Sequence, residues 1–408
     1  MKSICGIYKI GNGPSSSHTM GPMRAATIFK KKHPQAARFE VNLYGSLAAT
    51  GEGHLTNQTL LNTLAPIPTE LLKFPTIFLP YHPNGMIFEA FDGEGQSIDK
   101  WEVYSIGGGD IREKDSLNNI ADEDMPNVTD DLYAEKNMDE VLDWCITNGR
   151  MIWEYVAVHE EPSCWEYLHE VWQVMKEGVE RGINAEGVLP GSLNLQRKAA
   201  QYAIKAQGYR ASLKSRSLTF AYALATAEEN AAGGRIVTAP TCGSAGVLPA
   251  ILYHTSMSYG YTDDRIVKGL ATAAIFANVV KKNASISGAE VGCQGEIGVA
   301  CAMAAAACNQ IFGGSISQIE YAAEMGLEHH LGLTCDPMCG LVQIPCIERC
   351  AFAATRAFDA NLYSMLSDGR HRVSFDRVVQ VMKQTGHDLP SLYKETSLGG
   401  LATVGLKR

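Results

Sequence analysis

The apolar residues of this chain change period once, and that change limits the possible folds more than any other feature. Before about residue 112 the signals are strand-like. Residues 39–47 alternate apolar and polar side chains, and 86–91 and 98–106 form extended runs around an Asp92-Gly93 turn. From Met138 onward, apolar residues recur at three- and four-residue spacing over 138–147, 153–159, 165–181, 197–205, 216–230 and 263–281. Strand signals almost vanish there. Between the two regimes lies an acidic, Asn-rich stretch with Asp122-Glu123-Asp124 and Asp130-Asp131, which reads as an exposed connector. The expected class is α+β. An N-terminal α/β domain with a small sheet (1–112) is followed by a polar connector (113–137) and an all-helical domain (138–408).

Charge and hydropathy narrow the function. A net charge of −9 disfavours binding nucleic acid through phosphate neutralisation. The longest apolar run, 297–308, has 12 residues, against the roughly 20 needed to span a bilayer. No secretory signal is recognisable. The expectation is a cytoplasmic protein with neither a membrane nor a nucleic-acid partner. Eleven cysteines, an odd number, are not expected to form disulfides in a reducing compartment. Cys145, Cys164, Cys301 and Cys308 read as small buried hydrophobes.

Three loops carry candidate chemistry. Gly13-Pro14-Ser15-Ser16-Ser17-His18-Thr19-Met20-Gly21-Pro22 leads into a helix over 23–32. Hydroxyls and backbone N–H groups before a helix N-terminus make an anion cradle, although a plain cap and turn has the same composition. Thr50-Gly51-Glu52-Gly53-His54 presents a histidine that is either a base active near neutral pH or a merely solvated side chain. A third segment, 232–246, again places glycines and hydroxyls ahead of an apolar helix. Gly107-Gly108-Gly109 permits close backbone approach or positive φ, or is simply a flexible loop. Ser315 and Gln318 form a capping box, and Pro345 suits the start of a helix running to Arg356.

The cysteines give the sharpest signal. Cys335-x3-Cys339-x6-Cys346-x3-Cys350 suits zinc or an iron–sulfur cluster, and its spacing is not that of a C-x2-C knuckle. Cys346 and Cys350 share a helix face, so Cys350 is alternatively core filler.

Longer motifs carry a resemblance. The Ser15–Thr19 loop, Gly187-Val188-Leu189-Pro190-Gly191, residues 228–241, residues 283–296 and Gly332-Leu333-Thr334-Cys335-Asp336-Pro337 resemble the iron–sulfur-dependent L-serine dehydratases, in the family's order and nearly end to end. The resemblance implies a β-type domain followed by an α-type domain, a homodimer, and a [4Fe–4S] cluster held by Cys293, Cys335 and Cys346. Cys339 and Cys350 are then extras, and one iron lacks a protein ligand. Single-chain relatives end in a cysteine that folds back onto that iron. Here no cysteine follows Cys350, so water or another exogenous ligand is expected in its place. The N-terminal domain also reads as shorter than in the longer relatives.

For β-elimination from L-serine, His54 is the expected Cα base, and Ser15, Ser16, Ser17, His18 and Thr19 are the expected carboxylate cradle. Asn283, Ser285 and Ser287 are expected to complete the pocket because they precede Cys293. Threonine or cysteine are alternative substrates. A pyridoxal-phosphate enzyme would need a Schiff-base lysine, for which only Lys281-Lys282 offers itself. A zinc-stapled binding module is the remaining alternative.

Overall fold

A computed structural model describes residues 1–114, 116, 120 and 132–405. Residues 115, 117–119 and 121–131 of the expected connector lie outside the described residues. Seven strands are named here in chain order: β1 (Ile10–Asn12), β2 (Arg38–Tyr44), β3 (Thr69–Phe74), β4 (Gly85–Phe91), β5 (Ser97–Gly107), β6 (Asp110–Glu113) and β7 (Arg235–Val237). The N-terminal sheet runs β3-β2-β4-β5-β6. β2 and β3 are parallel, and every other neighbouring pair is antiparallel.

Helices Gly21–Lys32 and Thr56–Leu64 belong to the same domain. Phe29 and Leu60 from these helices join Phe39, Val41 and Phe88 of the sheet in one small core. This is the expected α/β unit, with a mixed, mostly antiparallel sheet packed against its helices.

The second half is helical, as its periodicity requires. Its centre is Ile297–Phe312, where residues 300–307 are all fully buried. Six of those eight residues are alanine. The small side chains let helices Val247–Tyr259, Asp263–Asn283, Ile316–Glu328 and Cys346–Met365 pack around this one. By length and composition Cys293–Phe312 could span a bilayer, and 89% of it is buried inside the protein. Ser315 and Gln318 do form the capping box. The helix expected after Pro345 runs from Cys346 to Met365, well past Arg356.

Two features join the halves. The first eight residues, counted with the N-terminal domain on sequence, pack into the helical core: Ile4, Ile7 and Tyr8 are buried there, and the Tyr8 hydroxyl donates to the Leu270 carbonyl at 2.8 Å. β1 then pairs with β7, Ile10 opposite Val237. Cys5 and Cys164 are joined as a disulfide, so Cys164 is not the lone filler that the sequence suggests. The second feature is a buried ion triad. Asp110 pairs with Lys9 through one oxygen and with Lys281 through the other, the latter at 2.6 Å. Burial alone would raise the Asp110 carboxyl, but the two lysines hold it well below the usual carboxylate range.

Candidate active site

The two cores meet at a cavity lined by residues of both halves. Cys293, Cys335 and Cys346 all line it. Cys293 lies in a short turn just before the central helix, and Cys346 is the first residue of its own helix. Both therefore sit where a helix dipole favours negative charge. Cys335 reaches the cavity from a loop zipped to the C-terminal tail: its N–H donates to Tyr393 and its carbonyl accepts from Glu395, each at 2.8 Å.

The donor atoms of Cys293, Cys335 and Glu296 lie within 4.8 Å of one another. The Cys335 thiol is pushed well above its ordinary pKa, first by its hydrogen bond with Cys293 and then by burial. Burial, followed by Cys293, does the same to Cys346. Buried thiols whose anions repel are a poor core and a fitting seat for a metal centre that binds thiolates. Arg349 stands behind them and donates to the Thr334 carbonyl at 2.7 Å. Burial would lower its pKa, but the Cys293, Cys346 and Cys335 charges raise it overall.

Gly288 sits against this group. A Cβ there would lie 2.2 Å from Glu296 Oε1 and 3.3 Å from Cys335 Sγ. The other nearby cysteines do not join the set. Cys339 is exposed, and the Cys350 thiol donates to the Gly243 carbonyl at 3.3 Å. The four local cysteines thus fail to converge as a zinc staple would require.

The sheet domain brings the opposite wall. His54 follows Gly53, where a Cβ would meet the Gly340 carbonyl oxygen at 2.4 Å, so backbone rests on backbone between the two domains. His54 is 1% exposed and lines the cavity. Its Nδ1 lies 3.1 Å from the Thr50 carbonyl, which can only accept, so the proton sits on Nδ1 and Nε2 carries the lone pair. Burial lowers its pKa to about 4, so the ring is neutral at pH 7. His18 stacks on it with ring centroids 4.4 Å apart.

Ser15 also lines the cavity, and its hydroxyl accepts from the His18 N–H at 3.0 Å. Thr19 donates to the His54 carbonyl at 2.7 Å. Ser16, Ser17, His18 and Thr19 are buried in the same turn, which leads into helix Gly21–Lys32.

Three residues expected here face elsewhere. Asn283 donates to the Lys136 carbonyl at 2.9 Å, Ser285 donates to the Glu290 carboxylate, and Ser287 packs beside Gly107. None of them lines the cavity. Their backbone stays near this loop, the Ser285 carbonyl lying beside Gly295, while the Asn283 and Ser285 side chains are taken up by Lys136 and Glu290. Lys281 is held by Asp110, and no lysine lines the cavity among the described residues.

Two carboxylates were not anticipated. Glu296 accepts from Thr241 Oγ1 at 2.5 Å, which brings in the third hydroxyl-bearing loop. Glu395 enters from the tail, with Oε1 3.4 Å from His18 Nδ1 and 3.6 Å from His54 Nε2. Burial, then Glu296 and Cys293, push its carboxyl well above the usual range. Glu296 closes the 283–296 motif, whereas Glu395, between Lys394 and Thr396, carries no such signal.

The profile described as serine dehydratase beta chain matches residues 3–73 and 66–116, and that described as serine dehydratase alpha chain matches 94–402. The chain is 42% identical to the L-serine dehydratase of Streptomyces coelicolor, over 98% of both chains. It is 38% identical to that of Haemophilus influenzae and to L-serine dehydratase 1 of Escherichia coli, over 98% of this chain and 99% of each relative. The Streptomyces alignment spans 449 positions against 408 residues here, so at least 41 positions of that relative have no counterpart.

Proposed function

Because the chain belongs to the serine dehydratase family, with the β-type segment ahead of the α-type segment in one polypeptide, we propose that it deaminates L-serine to pyruvate and ammonia. The reading places a [4Fe–4S] cluster on Cys293, Cys335 and Cys346, with one iron free of protein thiolate and open to water or substrate. One observation carries it: those three thiols line the same buried cavity as His54 and Ser15.

When bound, such a cluster supplies Lewis acidity toward the substrate hydroxyl, otherwise a poor leaving group. The protein supplies the rest. Thr50 fixes the His54 tautomer so that Nε2 can accept the Cα proton. That C–H electron pair becomes the Cα=Cβ bond as the Cβ–O bond breaks and hydroxide leaves. Glu395 Oε1, when ionised, raises the proton affinity of Nε2 from 3.6 Å away. The Ser15–Thr19 turn holds the substrate carboxylate at the start of a helix. Asn283, Ser285 and Ser287 have no part in this. The released aminoacrylate tautomerises to an imine and hydrolyses in water.

A cytoplasmic homodimer completes the reading. Phe352, Leu362, Tyr363 and Leu366 leave an exposed apolar face at helix Cys346–Met365, of the kind a second copy covers. The test is anaerobic purification followed by iron, labile sulfide and pyruvate assays. Cluster-level iron and sulfide with serine-dependent pyruvate are expected. Full activity in iron-free protein overturns the reading.

A further inference from the structure

An α-amino acid brings an ammonium as well as a carboxylate and a side chain. The site so far has thiols on the metal side, a hydroxyl-lined turn for the carboxylate and His54 for the proton. The ammonium has no assigned acceptor. Glu296 is a poor one, because its Oε2 already accepts from Thr241 and its carboxylate lies among the sulfurs of Cys293 and Cys335.

Glu395 differs. It is 6% exposed and lines the cavity, and its Oε2 is buried with no hydrogen-bond partner among the described residues. A buried carboxylate oxygen left unpaired is costly unless something else binds it. Its backbone is also forced into place, with φ of +59° at a non-glycine residue. The tail around it is fastened at several points. Besides the paired bonds to Cys335, the Ser397 hydroxyl donates to the Pro337 carbonyl at 2.9 Å and the Leu401 N–H donates to Asp336 at 2.8 Å.

We propose that Glu395 binds the ammonium of the substrate, so that the C-terminal tail sets the specificity of the site for an amino acid over a plain hydroxy acid. This rests on the L-serine dehydratase reading. The two fail separately: if the wild-type enzyme releases no pyruvate from L-serine, that reading falls first, whereas a failure confined to the comparison below falls on Glu395 alone.

The test uses anaerobically prepared holoenzyme, L-serine as substrate, and 3-hydroxypropionate, which lacks the amine, as inhibitor. Glu395→Gln keeps the shape and cannot ionise when an ammonium arrives. It should raise KM for L-serine on the order of 10- to 100-fold, the weight of a charge-assisted hydrogen bond. The inhibition constant of 3-hydroxypropionate and the resting cluster spectrum should stay nearly unchanged. If E395Q does not accumulate as folded protein, Glu395→Asp, which keeps the charge on a shorter arm, should show the same split at smaller size. Equal shifts for both ligands, no shift for either, or a changed resting spectrum, which would make Glu395 a ligand of the cluster, each overturn the proposal.

Discussion

The helical domain and the sheet domain face one cavity and bring unlike things to it. On the helical side, Cys293 lies in the turn just before one long helix and Cys346 at the first position of another. On the sheet side, His54 sits in a loop between two short helices, placed by the contact of Gly53 with Gly340 and by Thr50 and Thr19. On the proposed reading, one wall holds the metal centre and the other keeps a proton acceptor neutral, so the two roles fall on separate residues although they meet in space.

Cys335→Ser should break both functions at once, with loss of cluster absorbance and of pyruvate release. Cys301→Ala, deep in the core with its thiol on the Ala353 carbonyl, should keep both. His54→Ala should cut kcat by ~10²–10⁴-fold while the cluster absorbance stays intact. Loss of absorbance in that variant would show that the two walls are not separable.

Asp110→Asn tests what joins the walls. It leaves Lys9 and Lys281 facing each other with only a neutral amide between them. Breaking a buried ion pair costs ~3–5 kcal/mol, so the denaturant midpoint should fall with KM little changed. The pH dependence of stability sharpens the sheet side further. The ordinary value of the His54 ring is 6.5 and the folded value is about 4. The unfolded chain accepts a proton that the folded chain refuses, so the His54 contribution is complete above 6.5 and is lost as pH falls toward about 4. A urea titration across that range should show a smaller loss in His54→Ala.

Much of this was readable from local pattern. The helices expected over 138–147 and 263–281 run Met138–Asn148 and Asp263–Asn283, because periodicity acts locally. Cys293, Cys335 and Cys346 are reached through motif resemblance, and His54 through the glycine-rich loop that presents an imidazole. What escaped depends on distant partners. β3 follows Pro66-Ile67-Pro68 and has no clean alternation, so it reads as a strand only once paired with β2. The helix Phe375–Asp388 was passed over as well, although its apolar face is clear in retrospect. Asn283, Ser285 and Ser287 stand close to Cys293 along the chain, yet none of them lines the cavity. Glu395 was missed for the converse reason: 60 residues separate it from Cys335, and no local rule announces that pairing.

The threading of residues 4–8 into the helical core has a consequence for how the protein comes to be folded. Tyr8 reaches its carbonyl partner 262 positions later, so this segment leaves the ribosome long before its partner and waits unpaired until that stretch has followed. Contacts of such long range close slowly. During synthesis the nascent chain holds that apolar stretch exposed, and the N-terminal sheet can mature before the element that anchors it to its neighbour has anywhere to dock.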